Sequence, residues 1–284
     1  MKKFLLRLLT IQLLINTFFS ASKVNAIIPF YYLPSKRSLE QESLSIGKNA
    51  YQLLFFGQIK ESLNLAKLAI SLNSKDEKLW AILAESQIAN NQLEEALISI
   101  NKGKAIDNSL SEFYFAESSI FLRQKKFNDA KKSLTIGLKI DPNNATAIFQ
   151  LGNIFLSEKN YEEALNNFEK AATINPKLWP AINNKGLVYF ELNKKSLAIL
   201  EFKRAISIEE NAETLLALAV SLEIEDLEKS ILLAKQALIK NPRYVDFEYR
   251  SEQLWGEKLQ QATEKLFKLQ ELKEDIENAK NNLI

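Results

Sequence analysis

A repeat of 34 residues is the feature that most restricts what this chain can fold into. One column of small residues recurs at that step as Ser62, Ala96, Ala130, Ala164 and Ala198. A second small column contains Ala69, Gly103, Gly137, Ala171 and Ala205, and an aromatic column contains Phe121, Phe155 and Tyr189. The copies follow one another without an insertion, so the repeat extends through most of the chain. Such a repeat indicates a stack of similar structural units.

Each repeat is long enough for two helices of about 14 residues joined by a short turn. Small residues such as Gly152 and Ala164 let two helix axes approach to ~8–10 Å. Phe155 and Phe168 fill the space between neighbouring units, and Pro176 stands where a second helix must end. One helix pair cannot bury its apolar face alone, so the units must stack. The low content of 7 Gly and 6 Pro also favours helices with short loops.

The repeat pattern resembles that of tetratricopeptide repeat proteins. Residues 145–178 carry it as Leu151, Gly152, Phe155, Ala164, Phe168, Ala171 and Pro176, and the second repeat carries Trp80, Leu83, Ala84, Ala96 and Gly103. The resemblance implies an all-α fold, a right-handed superhelical solenoid of about six helix-turn-helix units. We predict a repeat array over residues 43–244, with units starting near residues 43, 77, 111, 145, 179 and 212.

Residues 245–284 follow the array and carry one apolar stripe. Its members, at spacings of three and four, are Trp255, Leu259, Ala262, Leu266 and Leu269. This spacing is typical of an amphipathic helix. We predict a long C-terminal capping helix whose second half projects from the array, because a solenoid needs a terminal element with a polar outer face. A short coiled-coil homodimer through this helix is the alternative.

Residues 1–26, MKKFLLRLLTIQLLINTFFSASKVNA, have the pattern of a signal peptide. A basic start is followed by an apolar run and then by small residues that end at Ala26. An uncleaved membrane anchor is the alternative, although the apolar run of about 12 residues is shorter than the ~20 that a spanning helix needs. For residues 27–42 we predict an extended arm, since Pro29 and Pro34 interrupt a regular helix. Contact with a membrane is expected through this N-terminal segment alone.

Composition argues against catalysis and against nucleic-acid binding. The chain has no Cys and no His, which removes the commonest nucleophile–base pairs and metal ligands. The pairs Glu94-Glu95 and Glu162-Glu163 stand at predicted helix starts, where the helix dipole favours negative charge without any active site. Beyond residue 26, 33 basic residues face 35 acidic ones, so the basic surface that nucleic acids require is missing. We therefore expect no enzyme, no cofactor and no metal site.

The concave groove is where a partner would bind. The resemblance implies that the first helix of each unit lines this groove through its second, fifth, sixth, ninth, twelfth and thirteenth positions. Our candidate partner-binding residues are Tyr51, Phe55, Phe115, Arg123, Phe149, Gln150, Asn153, Asn183, Asn184 and Phe190. The amides would hold a peptide backbone and the aromatic rings would form pockets. The Lys, Arg and Asn clamp of chaperone-binding members is missing from consecutive repeats.

These observations together predict a non-enzymatic scaffold or assembly factor that binds a partner peptide or helix. The alternative is a membrane-anchored accessory subunit of an envelope, secretion or photosynthetic complex. Frequent Asn, Lys and Ile, the signal pattern and the segment SEQLWGEKL at 251–259 resemble cyanobacterial and plastid proteins. That resemblance implies export across a membrane, into the periplasm or the thylakoid lumen.

Overall fold

The computed structural model describes residues 34–283 and divides the chain into two units, residues 1–41 and residues 42–284. The predicted signal peptide and the first part of the predicted extended arm lie outside the described residues. The remainder of the arm is largely helical, because helix α1 (Lys36–Phe55) begins directly after Pro34 and Ser35. Ser35 Oγ accepts a hydrogen bond from the Ser38 amide at 3.1 Å, so this serine caps the helix ahead of the predicted repeat start.

Six helix pairs follow one another as far as Lys240. The first helices of the pairs are α1, α3 (Glu77–Ala89), α5 (Ser111–Arg123), α7 (Ala145–Ser157), α9 (Trp179–Glu191) and α11 (Ala212–Leu222). The second helices are α2 (Ile59–Leu72), α4 (Leu93–Ile106), α6 (Phe127–Ile140), α8 (Tyr161–Ile174), α10 (Lys195–Ile208) and α12 (Leu227–Lys240). From α2 to α10, each second helix also packs against the first helix of the next pair. The predicted all-α, right-handed solenoid of about six units is confirmed.

A residue with positive φ closes the turn inside each of the first five pairs. These residues are Gly57, Asn91, Lys125, Lys159 and Asn193, which again recur every 34 residues. After α7, the Asn160 amide donates to Phe155 O at 2.8 Å and the Lys159 amide donates to Leu156 O at 2.9 Å. This is the Schellman arrangement, which satisfies the last carbonyl groups of a helix. A lysine at the left-handed position is strained relative to glycine.

The small-residue column lies at the contact between the two helices of a unit. Ala164 is fully buried there. Ser62 and Ser230 occupy the same column in the first and sixth units, and both are also fully buried. The Ser62 hydroxyl donates to Ala50 O at 2.8 Å, and the Ser230 hydroxyl donates to Ala219 O at 2.7 Å. Serine can therefore replace alanine at this buried position, because a backbone carbonyl of the neighbouring helix accepts a hydrogen bond from its hydroxyl.

The C-terminal segment, residues 241–283, folds back onto the array in place of the predicted long, projecting helix. It contains the 3-10 turns Pro242–Val245 and Gln270–Leu272 and the helices α13 (Phe247–Glu252), α14 (Glu257–Leu266) and α15 (Lys273–Asn281). A positive φ at Leu254 bends the chain between α13 and α14. Helix α14 packs against α9 and α11, and α15 packs against α12. The apolar stripe found in the sequence is buried against the repeats and does not run along one straight helix.

Arg250 holds the bends of the C-terminal segment together. Its side chain is fully buried, and its Nη1 donates to Tyr244 O at 2.7 Å and to Val245 O at 3.0 Å. Its Nε donates to Gln260 Oε1 at 2.7 Å, and its Nη2 contacts Glu264. Carbonyl groups that the short helices leave free are thus satisfied by one guanidinium, which stabilises the compact form.

Among the described residues, no helix is long and apolar enough to cross a bilayer.

Candidate functional site

The inner faces of the first four pairs form an open pocket of about 610 Å³. Side chains from α1, α3, α5 and α7 line it, among them Tyr51, Leu54, Glu85, Ile88, Glu112, Phe115, Ser119, Arg123, Thr146 and Gln150. Four of the predicted groove residues, Tyr51, Phe115, Arg123 and Gln150, therefore lie around one cavity. The structure thus brings together side chains that are up to 99 residues apart in the sequence.

Arg123 and Phe115 hold fixed positions in the pocket wall. Arg123 Nη1 donates to Ile88 O at 2.7 Å, so its guanidinium joins the ends of α5 and α3. Phe115 is half-buried, and a Cβ atom on Gly137 would come within 2.5 Å of its ring. Gly137 therefore makes room for the ring, which packs against α6 while it lines the pocket. Both side chains are positioned before any partner binds, which lowers the entropy cost of binding.

Two carboxylates from neighbouring units face the same pocket. Burial is the main cause that raises the pKa of Glu85, and the nearby Glu112 carboxylate adds to it, so that the pKa reaches about 7. Glu112 was not among our predicted groove residues. The sequence contained the signal, however, since Glu112 is the second residue of its unit and that position points inward.

The predicted groove residues of the fifth unit lie beneath the chain's own C-terminal segment. Asn183 is fully buried, and Asn184 and Phe190 are buried as well. Phe190 belongs to a core cluster that also contains Trp255 and Leu259 from the C-terminal segment. We expected these side chains in an open groove, but here they are closed off from solvent.

The buried amides are satisfied within the protein. Asn183 Nδ2 donates to Glu213 Oε1 at 3.0 Å, and the Thr214 hydroxyl donates to Asn183 Oδ1 at 3.0 Å. Asn184 Nδ2 donates to Asn153 Oδ1 at 2.8 Å. These bonds connect three consecutive units through their first helices α7, α9 and α11. The asparagines therefore join units together in this structure, and they leave few donors for a peptide.

Two glutamates attach the C-terminal segment to the inner face of the array. The Leu259 amide donates to Glu191 Oε1 at 3.0 Å, and Lys258 Nζ donates to Glu191 O at 2.6 Å, so the N-terminus of α14 rests on the end of α9. Trp255 Nε1 donates to Glu213 Oε1 at 3.3 Å. Burial raises the pKa of Glu213 to about 7 in spite of these hydrogen bonds.

The two remaining candidates, Phe149 and Phe55, behave differently from each other. Phe149 is half-buried with its ring centroid 5.8 Å from that of Phe168, so it contributes to packing between helices. Phe55 is 81% exposed, and its ring stands edge-on to Phe56 at 5.6 Å between centroids. Neither lines the open pocket, although the exposed Phe55 lies at the end of α1, the helix that carries Tyr51.

Comparisons with known proteins agree with the helix-pair geometry. Family models described as tetratricopeptide repeats match residues 145–178 and 180–212. No curated protein sequence matches the chain. Similar solved structures include pilF of Pseudomonas aeruginosa, at 17% identity and a TM-score of 0.65 over 77% of this chain and 98% of that one. PilW, described as a widely conserved type IV pilus biogenesis factor, has 16% identity and a TM-score of 0.61 over 75% and 97%.

A third similar structure is YrrB, described as a tetratricopeptide repeat protein with an unusual peptide-binding site. It has 18% identity and a TM-score of 0.52 over 66% of this chain and 97% of that one. At these identities the likeness shows a shared fold. The two matched repeats, the 34-residue period and the serial helix pairs lead to one conclusion: the chain contains tetratricopeptide repeats.

Proposed function

We propose that this protein is a non-enzymatic interaction scaffold that binds a peptide or helical segment of a protein partner in the open pocket of its first four units. One observation carries the proposal, which is that the inner face is open over α1, α3, α5 and α7 and covered over α9 and α11. Concave faces of stacked repeats are extended binding surfaces. The uncovered part therefore has the size and the fixed side chains that a peptide site requires.

The C-terminal segment supports this proposal as an internal example of how the inner face accepts a helix. Helix α14 lies on α9 and α11 with its amide groups at Glu191 and with Trp255 and Leu259 in an apolar cluster. Backbone hydrogen bonds with apolar anchors are a common mode of peptide recognition. A partner segment on the open part would use Phe115 as an anchor and Gln150 and Arg123 as hydrogen-bonding groups.

Site-specific photocrosslinking tests the proposed site. A benzoylphenylalanine at Tyr51 lies in the open pocket, whereas the same group at Leu200, 60% exposed on α10, is the matched control on a second helix. We expect the Tyr51 position to crosslink a defined partner segment, identified by mass spectrometry, and the Leu200 position not to. Crosslinks from Leu200 alone, or from neither position, would contradict the proposed groove.

The proposal includes export of the chain across a membrane, based on the signal pattern of residues 1–26. The competing arrangement is a membrane-anchored accessory subunit that keeps this segment. Sequencing the mature N-terminus after expression in a bacterial host distinguishes the two. A start near residue 27 agrees with cleavage and export, whereas an intact Met1 in the membrane fraction favours the anchor.

A further inference from the structure

The open pocket contains a carboxylate without a partner. Glu85 lines the pocket from α3 and is half-buried. Within residues 34–283 its carboxylate makes no hydrogen bond and no ion pair. Glu112 lies on the neighbouring first helix α5, where its carboxylate accepts a hydrogen bond from the Ser111 hydroxyl at 3.1 Å. The pocket therefore holds two acidic groups, one of which has no compensating donor.

Arg123 does not neutralise these carboxylates, although it lines the same pocket. Its Nη1 donates to the Ile88 carbonyl, and in the described part of the chain it forms no ion pair with Glu85 or Glu112. A half-buried carboxylate without a counterion has lost part of its hydration and gained nothing in return. A positive group supplied from outside would offset this cost.

On the covered part of the inner face, a glutamate already receives donors from the chain's own C-terminal segment. There, Lys258 brings its ammonium to the carbonyl of Glu191, while the Leu259 amide donates to the Glu191 carboxylate. Hydrogen-bonding donors from a bound segment thus meet a glutamate at the end of a first helix. Helix α7 connects the two parts of the inner face: its Gln150 lines the open pocket, and its Asn153 accepts a hydrogen bond from Asn184 of the covered unit.

We infer that the partner segment, if it binds as proposed above, carries a lysine or arginine whose charged end lies between Glu85 and Glu112. The aliphatic part of that side chain would pack against Phe115 and Tyr51, since long basic side chains bury their methylene groups and keep the charge at their end. A basic residue between two carboxylates forms charge-assisted hydrogen bonds, which are stronger than neutral ones.

Selection from a phage-displayed library of random 12-residue peptides on the full chain tests this inference. Peptides are counted as pocket-binding if they bind the wild type and no longer bind a Tyr51→Ala, Gln150→Ala double variant. The tightest of them is then synthesised with each basic residue replaced in turn by norleucine, which keeps the chain length and removes the charge. Binding is measured on the wild type, on Glu85→Gln with Glu112→Gln, and on the exposed control pair Glu94→Gln with Glu95→Gln.

We expect pocket-binding peptides to share one basic position, and its change to norleucine to weaken binding at least tenfold. The Glu85→Gln, Glu112→Gln variant should bind the original peptide with a similarly reduced affinity. Its affinity should not fall further when the norleucine peptide is used. The Glu94→Gln, Glu95→Gln control should bind both peptides as the wild type does. Peptides that bind the pocket equally well without the basic residue would overturn the inference and leave the scaffold proposal standing. A library that yields no pocket-dependent peptide would overturn both.

Discussion

Glu213 is the carboxylate that joins α9, α11 and the C-terminal segment, and its burial makes stability depend on pH. Its pKa is about 7 in the folded protein against 4.5 as the ordinary value. A raised folded-state pKa contributes stability that is fully present below pH 4.5 and is lost as the pH rises to about 7. We expect Glu213→Gln to remove this loss of stability, which is about 3 kcal/mol at a pH above 7.

Urea unfolding at pH 5 and at pH 8 measures the effect of Glu213→Gln. The variant should gain stability relative to the wild type at pH 8 and much less at pH 5. Glu225→Gln, on an exposed residue of the turn after α11, is the matched control and should leave the difference between the two pH values unchanged. Equal pH dependence in Glu213→Gln and the wild type would show that this carboxylate is not the group responsible.

Lys185 is the second ionisable residue whose burial predicts a measurable effect. Its Nζ lies 2.8 Å from Glu201 Oε1 and also contacts Glu169, while the side chains of Lys185 and Glu201 are 6% and 11% exposed. Lys185→Met should cost about 3 kcal/mol, because the buried Glu201 carboxylate then keeps only the more exposed Arg204, whose Nη1 is 3.7 Å away. Adding Glu201→Leu should recover most of that loss in urea unfolding. A double variant that is less stable than the single one would contradict this account.

The asparagines show what sequence could and could not reveal about single residues. The repeat position places Asn183 and Asn184 on the inner face, and the structure agrees. Their polar character predicts an open groove. In the structure, however, Glu213, Thr214 and Asn153 form hydrogen bonds with these two amides inside the protein. A repeat position fixes the direction of a side chain, whereas its accessibility depends on the C-terminal segment, which lies outside the periodic sequence.

At the scale of helices and turns, the strained lysines predict a stabilising change. Lys159 has φ of 57° in the turn after α7, a conformation that glycine adopts without a steric penalty. We expect Lys159→Gly to raise the free energy of unfolding by about 1 kcal/mol. The matched control Lys170→Gly, at an exposed position inside α8, should lower it by about 1 kcal/mol. Thermal melting followed by circular dichroism compares the two variants with the wild type. If both variants lose stability by a similar amount, the left-handed conformation of Lys159 is not a source of strain.

Helix boundaries were predictable wherever the period continued. Five of the six predicted starts, near residues 77, 111, 145, 179 and 212, are the residues at which first helices begin in the structure. The C-terminal segment was less predictable, because an amphipathic stripe shows that one face is buried and does not show against what. The stripe from Trp255 to Leu269 also gave no indication that the chain would bend at Leu254 and after Leu266.

At the scale of the whole repeat array, the C-terminal segment protects an apolar surface. Leu187, Phe190, Leu215 and Leu218 form one buried cluster with Trp255, Leu259 and Leu266. Deleting residues 246–284 should expose the inner faces of α9 and α11 and cause self-association, since apolar patches of this kind drive aggregation. Size-exclusion chromatography with light scattering measures the mass. A truncated protein with unchanged mass and unchanged melting temperature would contradict the protective role.

The return of α14 to the inner face also sets an order of events during synthesis. Contacts within and between the first four units join residues close in sequence, so these units can fold as they leave the ribosome. The fifth unit cannot be completed while only the first four units have been synthesised. Its Glu191 carboxylate accepts a hydrogen bond from the Leu259 amide, which is 68 residues further along the chain. The array can therefore fold from its N-terminal end, and its fifth unit reaches its final form only after residue 259 has left the ribosome.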